Sequence, residues 1–323
     1  MPRAIAVVDA TSGPPDPGAV DLVLAAGELG EVTALVVGAL ASGETHDLGT
    51  PDVRVLDMAD DGAGLADAVV VQSVVDLVHA LRPSAVALPA GLEGTRLAAR
   101  LASRLEAGAA TDVSRLWFHD GRVRASKSVL GSRFTTTVEA RCPVLVCTMR
   151  PQSHRVSTPS DSASISHLTG SSSAAGPWPR LISWAPTPPQ ARPPLGTART
   201  VVAAGRGLAG HATLAEDLAD VLGAAVGATR ALVDEGVYPQ SLQIGQTGAT
   251  VSPDVYIALG IAGAVQHMSG AMGASHIVAI NNDPEAPIHA LADLSVVGDA
   301  TVVVPRLVEA LRSRPSPDGT ALP

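Results

Sequence analysis

The sequence contains very little cysteine. Cys142 and Cys147 are the only two among 323 residues. They lie five residues apart on an apparent strand, where such positions point to opposite faces, so a disulfide between them is disfavoured. Two cysteines are also too few for a four-cysteine zinc or iron–sulfur site. We therefore expect a reducing, cytoplasmic location and no bound metal.

Aromatic and basic residues are scarce as well. Aromatic side chains make up 2% of the chain. The chain has 22 lysines and arginines and 31 acidic residues, which gives a net charge of -9. Nucleic-acid binding needs a basic patch or stripe, and none is evident. No apolar run reaches the roughly 18 residues of a spanning helix. We expect no nucleic-acid partner and no membrane insertion.

The composition that is present favours an α/β protein. Hydrophobic residues make up 46% of the chain and charged residues 16%, which is typical of buried parallel strands and helices rich in small residues. The length predicts two domains. We place an N-terminal, partner-contacting α/β domain at residues 1–150 and a second domain at 200–313, each a mainly parallel sheet flanked by helices. Residues 314–323 form a tail.

Residues 151–199 are rich in Ser, Pro, Gly and Thr, a composition that predicts a linker. Its two tryptophans, Trp178 and Trp184, are its only large aromatic side chains. They either mark a docking segment for a partner or pin the linker to its own domain. The sequence leaves both alternatives open.

The first domain begins with βαβ units and then changes its pattern. Apolar runs predict strands at residues 4–8, 32–37, 53–57 and 85–89, and helices at 19–29, 65–81 and 95–105. No helical pattern interrupts the four later segments 115–118, 122–130, 135–140 and 144–149. Asp120-Gly121 supplies a hairpin turn. We predict an antiparallel extension at one sheet edge, which needs protection or pairs with another chain.

The second domain restarts with a strand at residues 200–204, the turn Gly205-Arg206-Gly207 and a helix at about 212–222. Such a turn before a helix is a favourable place for a phosphate. It satisfies neither the dinucleotide fingerprint nor the P-loop motif. Further strands are predicted at 254–259 and 276–280. Blocks of glycine and polar residues follow the strands, and ligands bind at the carboxyl edge of parallel sheets. These blocks predict a single site.

Five motifs in order closely resemble the alpha subunit of electron-transfer flavoproteins. They are Gly-Arg-Gly-Leu at 205–208, Gly-Ala-Ala-Val-Gly-Ala-Thr-Arg at 223–230, Gln-Ile-Gly-Gln-Thr-Gly at 243–248, Gly-Ile-Ala-Gly-Ala-Val-Gln-His at 260–267 and Ala-Ile-Asn-Asn-Asp-Pro-Glu-Ala-Pro-Ile at 279–288. The resemblance covers about 201–311 and is weaker in the first half. After Gly-Arg-Gly the family commonly has Leu-Lys-Ser-Gly-Glu-Asn, whereas Ala209 here replaces the lysine.

The resemblance implies a Rossmann-like FAD-binding second domain in a heterodimer with an electron-transfer flavoprotein beta subunit. It implies an electron carrier with no catalytic residues of its own, active for example in fatty acid beta-oxidation. The FAD would accept electrons from donor dehydrogenases, such as acyl-CoA dehydrogenases, and pass them to an acceptor oxidoreductase. An electron-bifurcating or nitrogen-fixation-linked alpha subunit, a nucleotide-binding enzyme and a scaffold subunit remain alternatives.

The resemblance also implies which residues contact FAD. The residues expected near the pyrophosphate are Arg206, Gly263, Ala264, Val265 and Gln266, and Ala262 is a further expected cofactor contact. Those expected around the flavin ring and ribityl chain are Thr229, Arg230, Ile244, Gly245, Gln246 and Thr247. Those expected at the pyrimidine side and the adenosine end are His267, Asn281 and Asp299, followed by Ala300, where many members have leucine.

Three of these side chains have chemistry that suits a flavin. Arg230 keeps its charge and would favour an anionic reduced flavin, although it could instead pair with Asp234 at i+4. The Thr247 hydroxyl both donates and accepts, which suits a ring nitrogen whose protonation changes. His267 could bond a ring carbonyl and carry a charge near neutral pH, or be a core histidine. Asn281 could equally form an Asx turn.

Overall fold

The computed structural model describes residues 2–11, 15, 17–38, 48, 50–58, 68–130, 134–150, 164–169 and 191–313. The chain divides into two units, one of Met1–Val129 with Arg133–Thr187, and one of Pro188–Pro323 with Leu130–Ser132. Each unit has its own sheet. Trp178, Trp184 and the predicted tail lie outside the described residues. Of the helices in the described part, none is long and apolar enough to cross a membrane.

In its described residues, the first unit contains a nine-stranded sheet and three helices. The strands are β1 Arg3–Ala10, β2 Glu31–Gly38, β3 Asp52–Leu56, β4 Ala85–Pro89, β5 Gly108–His119, β6 Arg122–Val129, β7 Phe134–Glu139, β8 Leu145–Met149 and β9 Ser164–Leu168, and the helices are α1 Pro17–Gly27, α2 Ala68–Leu81 and α3 Leu92–Leu105. Their order in the sheet is β7-β6-β5-β8-β4-β1-β2-β3-β9.

Alternation along β1 builds a core on each face of this sheet. Ala4, Ala6 and Val8 pack in the cluster that contains the apolar side of α1. Ile5 and Val7 pack in the cluster that contains buried residues of α2 and α3. Because both faces are covered by helices, the central strands are apolar throughout, as the sequence indicates.

The antiparallel extension is confirmed, but it is formed by β5, β6 and β7 alone. The prediction that β8 belongs to this extension is wrong, because β8 is parallel to β4 and β5 and lies between them. All five residues of β8 are buried, and a continuous buried run is typical of an interior parallel strand. Edge strand β7 alternates instead between exposed and half-buried residues.

Two further details differ from the expectations. The strand β9, within the predicted linker, pairs in parallel with β3. It alternates serine with larger residues, a weak strand pattern inside a polar segment. Cys142 precedes β8 rather than lying on the same strand as Cys147. Both thiols are free, and burial raises the pKa of Cys147 to about 12.

The second unit is a five-stranded parallel sheet with helices on both faces. Its strands are β10 Thr200–Ala204, β11 Ala225–Ala228, β12 Val255–Leu259, β13 His276–Asn281 and β14 Leu294–Val297, and its helices are α4 Thr213–Leu222, α5 Arg230–Asp234, α6 Val265–Met268 and α7 Ala300–Arg312. The order is β11-β10-β12-β13-β14. Together with the first unit, this sheet confirms the α/β prediction.

The chain reverses its direction of travel across this second sheet at β10. From β10 it moves to β11 on one side and then crosses to β12 on the other side. The crevice outside the carboxyl ends of β10 and β12 is therefore the topological switch point, where open parallel sheets bind ligands.

Glycines bring the backbones together at this switch point. The amide of Gly205 donates to the carbonyl of Leu259 at 2.8 Å, and that of Gly207 donates to Gly260 at 3.0 Å. Gly260 has a φ of +61°, and a Cβ there would lie 2.7 Å from the Cα of Gly207. Only glycine fits this crossing, because a side chain would collide with backbone and not with a movable group.

Two alanine substitutions distinguish the energetic cost of this collision from the cost of backbone strain. Gly223 has a φ of +62° with nothing within 4 Å of an added Cβ. We expect Gly223→Ala to cost about 1 kcal/mol from left-handed strain. Gly260→Ala should cost about 2 kcal/mol more, because the crossing must open. Thermal unfolding of the two variants measures the difference, and equal losses of stability would contradict it.

Candidate functional site

A cavity of about 460 Å³ opens at the carboxyl edge of the second sheet. Its walls come from the segments that follow β10, β11, β12 and β13, so one cavity joins the motif blocks that lie apart in sequence. The lining residues are Arg206, Gly207, Thr229, Arg230, Ala231, Gln243, Ile244, Gly245, Gln246, Thr247, Gly260, Ile261, Ala262, Gly263, Ala264, Gln266, His267, Asn281, Asn282 and Asp283.

Thirteen of the sixteen predicted site residues lie in this wall. The three that do not are Val265, Asp299 and Ala300. Val265 is 43% exposed, and Ala300 is buried in the core at the start of α7. Asp299 is the N-cap of α7, and its carboxylate accepts from the amide and the hydroxyl of Thr301 at 2.8 Å each. These bonds hold the pKa of Asp299 below its usual range.

Seven wall residues were not among the predicted site residues. They are Gly207, Ala231, Gln243, Gly260, Ile261, Asn282 and Asp283. Each lies inside or directly beside a motif block. The motif blocks as a whole therefore predicted the cavity wall better than the sixteen individually chosen residues did. Gln243 is the most informative of the seven, because it is a buried polar side chain at the start of the Gln-Ile-Gly-Gln-Thr-Gly block.

The segment from Gln243 to Ala249 is a closed loop held by backbone hydrogen bonds. The amide of Ala249 donates to Gln243 at 2.7 Å, which closes the loop. The amide of Ile244 donates to Ala228 at 2.9 Å, and that of Gln246 donates to Gln266 at 2.7 Å. These two bonds attach the loop to the end of β11 and to α6, so its polar side chains occupy defined positions in the wall.

His267 is held by two hydrogen bonds within the protein. Its Nδ1–H donates to the carbonyl of Ile244 at 3.0 Å, and its Nε2 accepts from the hydroxyl of Tyr256 at 2.6 Å. Burial lowers the pKa of His267 to about 4, against the opposing effect of the bond to Ile244. The expectation of a charge near neutral pH is therefore wrong. The side chain is neutral and has both nitrogens satisfied.

Asn281 also has its side chain bound within the protein. Its Nδ2 donates to the carbonyl of Ile261 at 2.8 Å, and its Oδ1 accepts from the amide of Asp283 at 3.0 Å. The second bond is the Asx turn that the sequence offered as the alternative. Asn281 thus connects the segment after β12 to the segment after β13, and its side chain fixes the shape of the wall.

The wall contains two arginines. Arg230 makes an i,i+4 ion pair with Asp234, in which Nε lies 3.2 Å from Oδ2 and the Arg230 side chain is 70% exposed. Exposed pairs of this kind contribute little energy. The pairing alternative is therefore observed, yet Arg230 still lines the cavity. Arg206 is exposed beside Gly207, so the wall carries two guanidinium groups.

Residues with unpaired backbone amides line the cavity after β12. The carbonyls of Ile261 and Ala262 are engaged by Asn281 Nδ2 and by the amide of Ile288 at 3.1 Å. Within the described residues, no acceptor binds the amides of 261–264. The hydroxyl oxygen of Thr229 is also buried and has no hydrogen-bond partner among the described residues. Successive open amides form a concavity suited to an anion, which fits a ligand with phosphate groups.

The helix expected beside the phosphate lies elsewhere. Residues Arg206–Leu208 form a 3₁₀ turn, and α4 begins only at Thr213. The start of α4 does not line the cavity. The residues in which this chain differs from the family motif, Ala209 to Thr213, are therefore also outside the wall. Among the described residues, no group of three or more His, Cys, Asp or Glu could hold a metal.

Comparison with known proteins identifies the family of this chain. Residues 5–171 match the electron transfer flavoprotein domain, and residues 194–272 match the electron transfer flavoprotein FAD-binding domain. The electron transfer flavoprotein subunit alpha of Mycobacterium leprae is 38% identical over 322 residues, which cover 97% of this chain and 99% of the relative. The chain belongs to the electron transfer flavoprotein alpha subunit family.

Other alpha subunits of the family give the same result. That of Paracoccus denitrificans is 36% identical over 296 residues, covering 88% of this chain and 92% of its own. The mitochondrial alpha subunit of Dictyostelium discoideum is 51% identical over 123 residues, or 38% of this chain and 35% of its own. The resemblance inferred from the motifs is confirmed, and FAD is the cofactor of the matched domain.

The protonation of His267 can be tested through Tyr256. We expect the pKa of His267 to be about 4 in the wild type. Tyr256→Phe should raise it towards 6.5, because the neutral ring loses its donor at Nε2. Since the folded pKa lies below the unfolded one, the stability from this group is complete above pH 6.5 and is lost as the pH falls towards 4.

Titration of the histidine signals by NMR measures both values. The exposed His276, which lies on β13 and not on α6, is the internal reference. A wild-type His267 that takes up its proton near pH 6.5 would contradict the neutral assignment. An unchanged pKa in Tyr256→Phe would show that burial alone determines it.

Proposed function

We propose that this chain is the FAD-carrying alpha subunit of a heterodimeric electron-transfer flavoprotein in the cytoplasm. It accepts electrons from dehydrogenases, such as acyl-CoA dehydrogenases, and passes them to a downstream oxidoreductase. The observation that carries the proposal is the cavity at the switch point, which brings together residues of all five motif blocks. When bound there, FAD supplies the electron-accepting chemistry.

The chain's own contribution is to bind and orient FAD. The open amides of residues 261–264 would donate to the pyrophosphate, and Thr229 would lie beside the flavin ring and ribityl chain. Arg206 adds a positive charge to the same wall. The bonds of His267 and Asn281 keep the loops in place. Donors fixed before the ligand arrives lower the entropic cost of binding.

Arg230 is the residue that we propose to tune the reduction potential. A unit charge about 4 Å from an anionic group is worth on the order of 4 kcal/mol at an effective dielectric near 20. The 70% exposure of Arg230 reduces that value by solvent screening. His267 is neutral, so the two arginines are the positive side chains of the wall. A positive charge near the ring favours the negatively charged, reduced cofactor.

The first unit is the part that we propose to contact the beta subunit. Its edge strand β7 carries Phe134, which is 59% exposed. An exposed strand edge with an aromatic side chain needs protection or a partner. The beta subunit would provide that cover, whereas the donor and the acceptor would approach the FAD.

Stepwise reduction tests the proposed function directly. We expect the chain, purified with its co-expressed partner, to be yellow, to bleach in two one-electron steps and to release FAD on denaturation. Visible absorption spectroscopy follows the reduction, and chromatography identifies the released cofactor. A colourless complex that does not take up added FAD would sink the proposal and favour a scaffold subunit.

Arg230→Ala tests the role of the charge. We expect this variant to bind FAD more weakly and to lower the first one-electron reduction potential, corresponding to an equilibrium about tenfold less favourable, because a positive charge is lost. Spectroelectrochemistry measures the potential. Arg306→Ala on α7 is the matched control, because Arg306 is exposed and outside the cavity wall. Equal potentials in the two variants would exclude a role for Arg230.

A further inference from the structure

Gln243 and Thr247 face each other across the closed loop of the cavity wall. The Nε2 of Gln243 donates to the Oγ1 of Thr247 at 2.9 Å. Gln243 is only 3% exposed, whereas Thr247 is exposed. Both residues line the cavity. The glutamine is therefore a buried donor behind a hydroxyl that is open to the ligand.

The backbone fixes the glutamine at this position. Its amide donates to Gln240 at 3.1 Å, and its carbonyl accepts from Ala249 at 2.7 Å. Gly248 passes so close that an added Cβ there would collide with the Gln243 carbonyl. Because the main chain is held on both sides, the side chain has little freedom and the donor remains directed at Thr247.

This hydrogen bond determines what Thr247 offers to a ligand. A hydroxyl has one proton to donate and two lone pairs to accept with. The Gln243 amide occupies one lone pair, and a hydroxyl that accepts on one side becomes a stronger donor on the other. The proton of Thr247 is thus left for the cavity, with a defined position of the oxygen atom.

We propose that Gln243 is a positioning residue that makes the Thr247 hydroxyl a donor to the flavin ring. The inference rests on the proposed function, because it assumes that FAD occupies this cavity. A donor to the ring stabilises the reduced flavin, whose nitrogens carry more negative charge, and so raises the reduction potential. Gln243 acts through Thr247 and does not itself bond to the ring.

Gln243→Met removes the donor at nearly constant volume and charge. In the purified complex we expect the first one-electron equilibrium to become about tenfold less favourable, which is about 59 mV. In a Thr247→Val background the same substitution should change nothing further, because the hydroxyl is absent. Such a cycle isolates the coupling of two residues in contact. Spectroelectrochemistry measures all four potentials.

Gln240→Met is the matched control. Gln240 is exposed in the same loop region, and its Nε2 approaches only the backbone carbonyl of Thr247, at 3.4 Å. It does not line the cavity. We expect its potentials to equal those of the wild type. A shift as large as that of Gln243→Met would assign the effect to general loosening of the loop and overturn the inference.

Two further outcomes also decide the question. If Gln243→Met lowers the potential equally with and without the Thr247 hydroxyl, then Gln243 contacts the ring directly and the inference is wrong. If Gln243→Met loses FAD, the neutral Gln243→Leu takes its place in the cycle. Loss of FAD from both variants, with retention in Thr247→Val, would place Gln243 in binding and also overturn the inference.

If the proposed function itself is wrong, the wild-type complex will lack FAD or fail to reduce in one-electron steps. Failure of the inference alone leaves the wild type flavin-bound and reducible, with an unchanged potential in Gln243→Met or an equal shift in both backgrounds.

Discussion

The backbone crossing of Gly205, Gly207 and Gly260 is the constraint on which the cavity depends. Because no side chain stands between them, the segments after β10 and β12 approach within hydrogen-bond distance. The amide of Gly260 also donates to Ile280 at 2.8 Å, which attaches the end of β13 to the same point. Three strand ends therefore meet, and their following segments share one ligand space. If side chains held these two segments apart, Arg206 and the open amides of 261–264 would no longer line one cavity.

The polar residues of the wall divide into two groups by their hydrogen bonds. His267 and Asn281 are buried and bonded within the protein, so they connect loops. The amides of 261–264 and the hydroxyl of Thr229 have no partner in the described part of the chain. Unpartnered donors are costly unless a ligand binds them. The first group keeps the loops of the cavity wall in place. The second group remains available to hydrogen-bond a ligand.

The sequence was sufficient to predict most of the regular elements and the segments that line the cavity. Apolar runs located β1 and β10, and the motif blocks located the wall. The placement of β8 between β4 and β5 could not be predicted, because strand order depends on tertiary pairing. β11 and β14 were not among the predicted strands, since Ala-Val-Gly-Ala is short and β14 is mostly exposed. The low pKa of His267 comes from its burial in the tertiary structure, which periodicity does not reveal.

In the cavity wall, the residues that fix the loop geometry differ from the residue that supplies the positive charge. The buried Tyr256–His267–Ile244 bonds fix the loop without adding a charge, because burial disfavours the protonated imidazole. The positive charge comes instead from exposed Arg230, which Asp234 partly compensates. Solvent screens such a charge, and any protein that covered it would lower the local dielectric and strengthen its field. The loop geometry is thus intrinsic to this chain, whereas the electrostatic contribution of Arg230 depends on what lies over it.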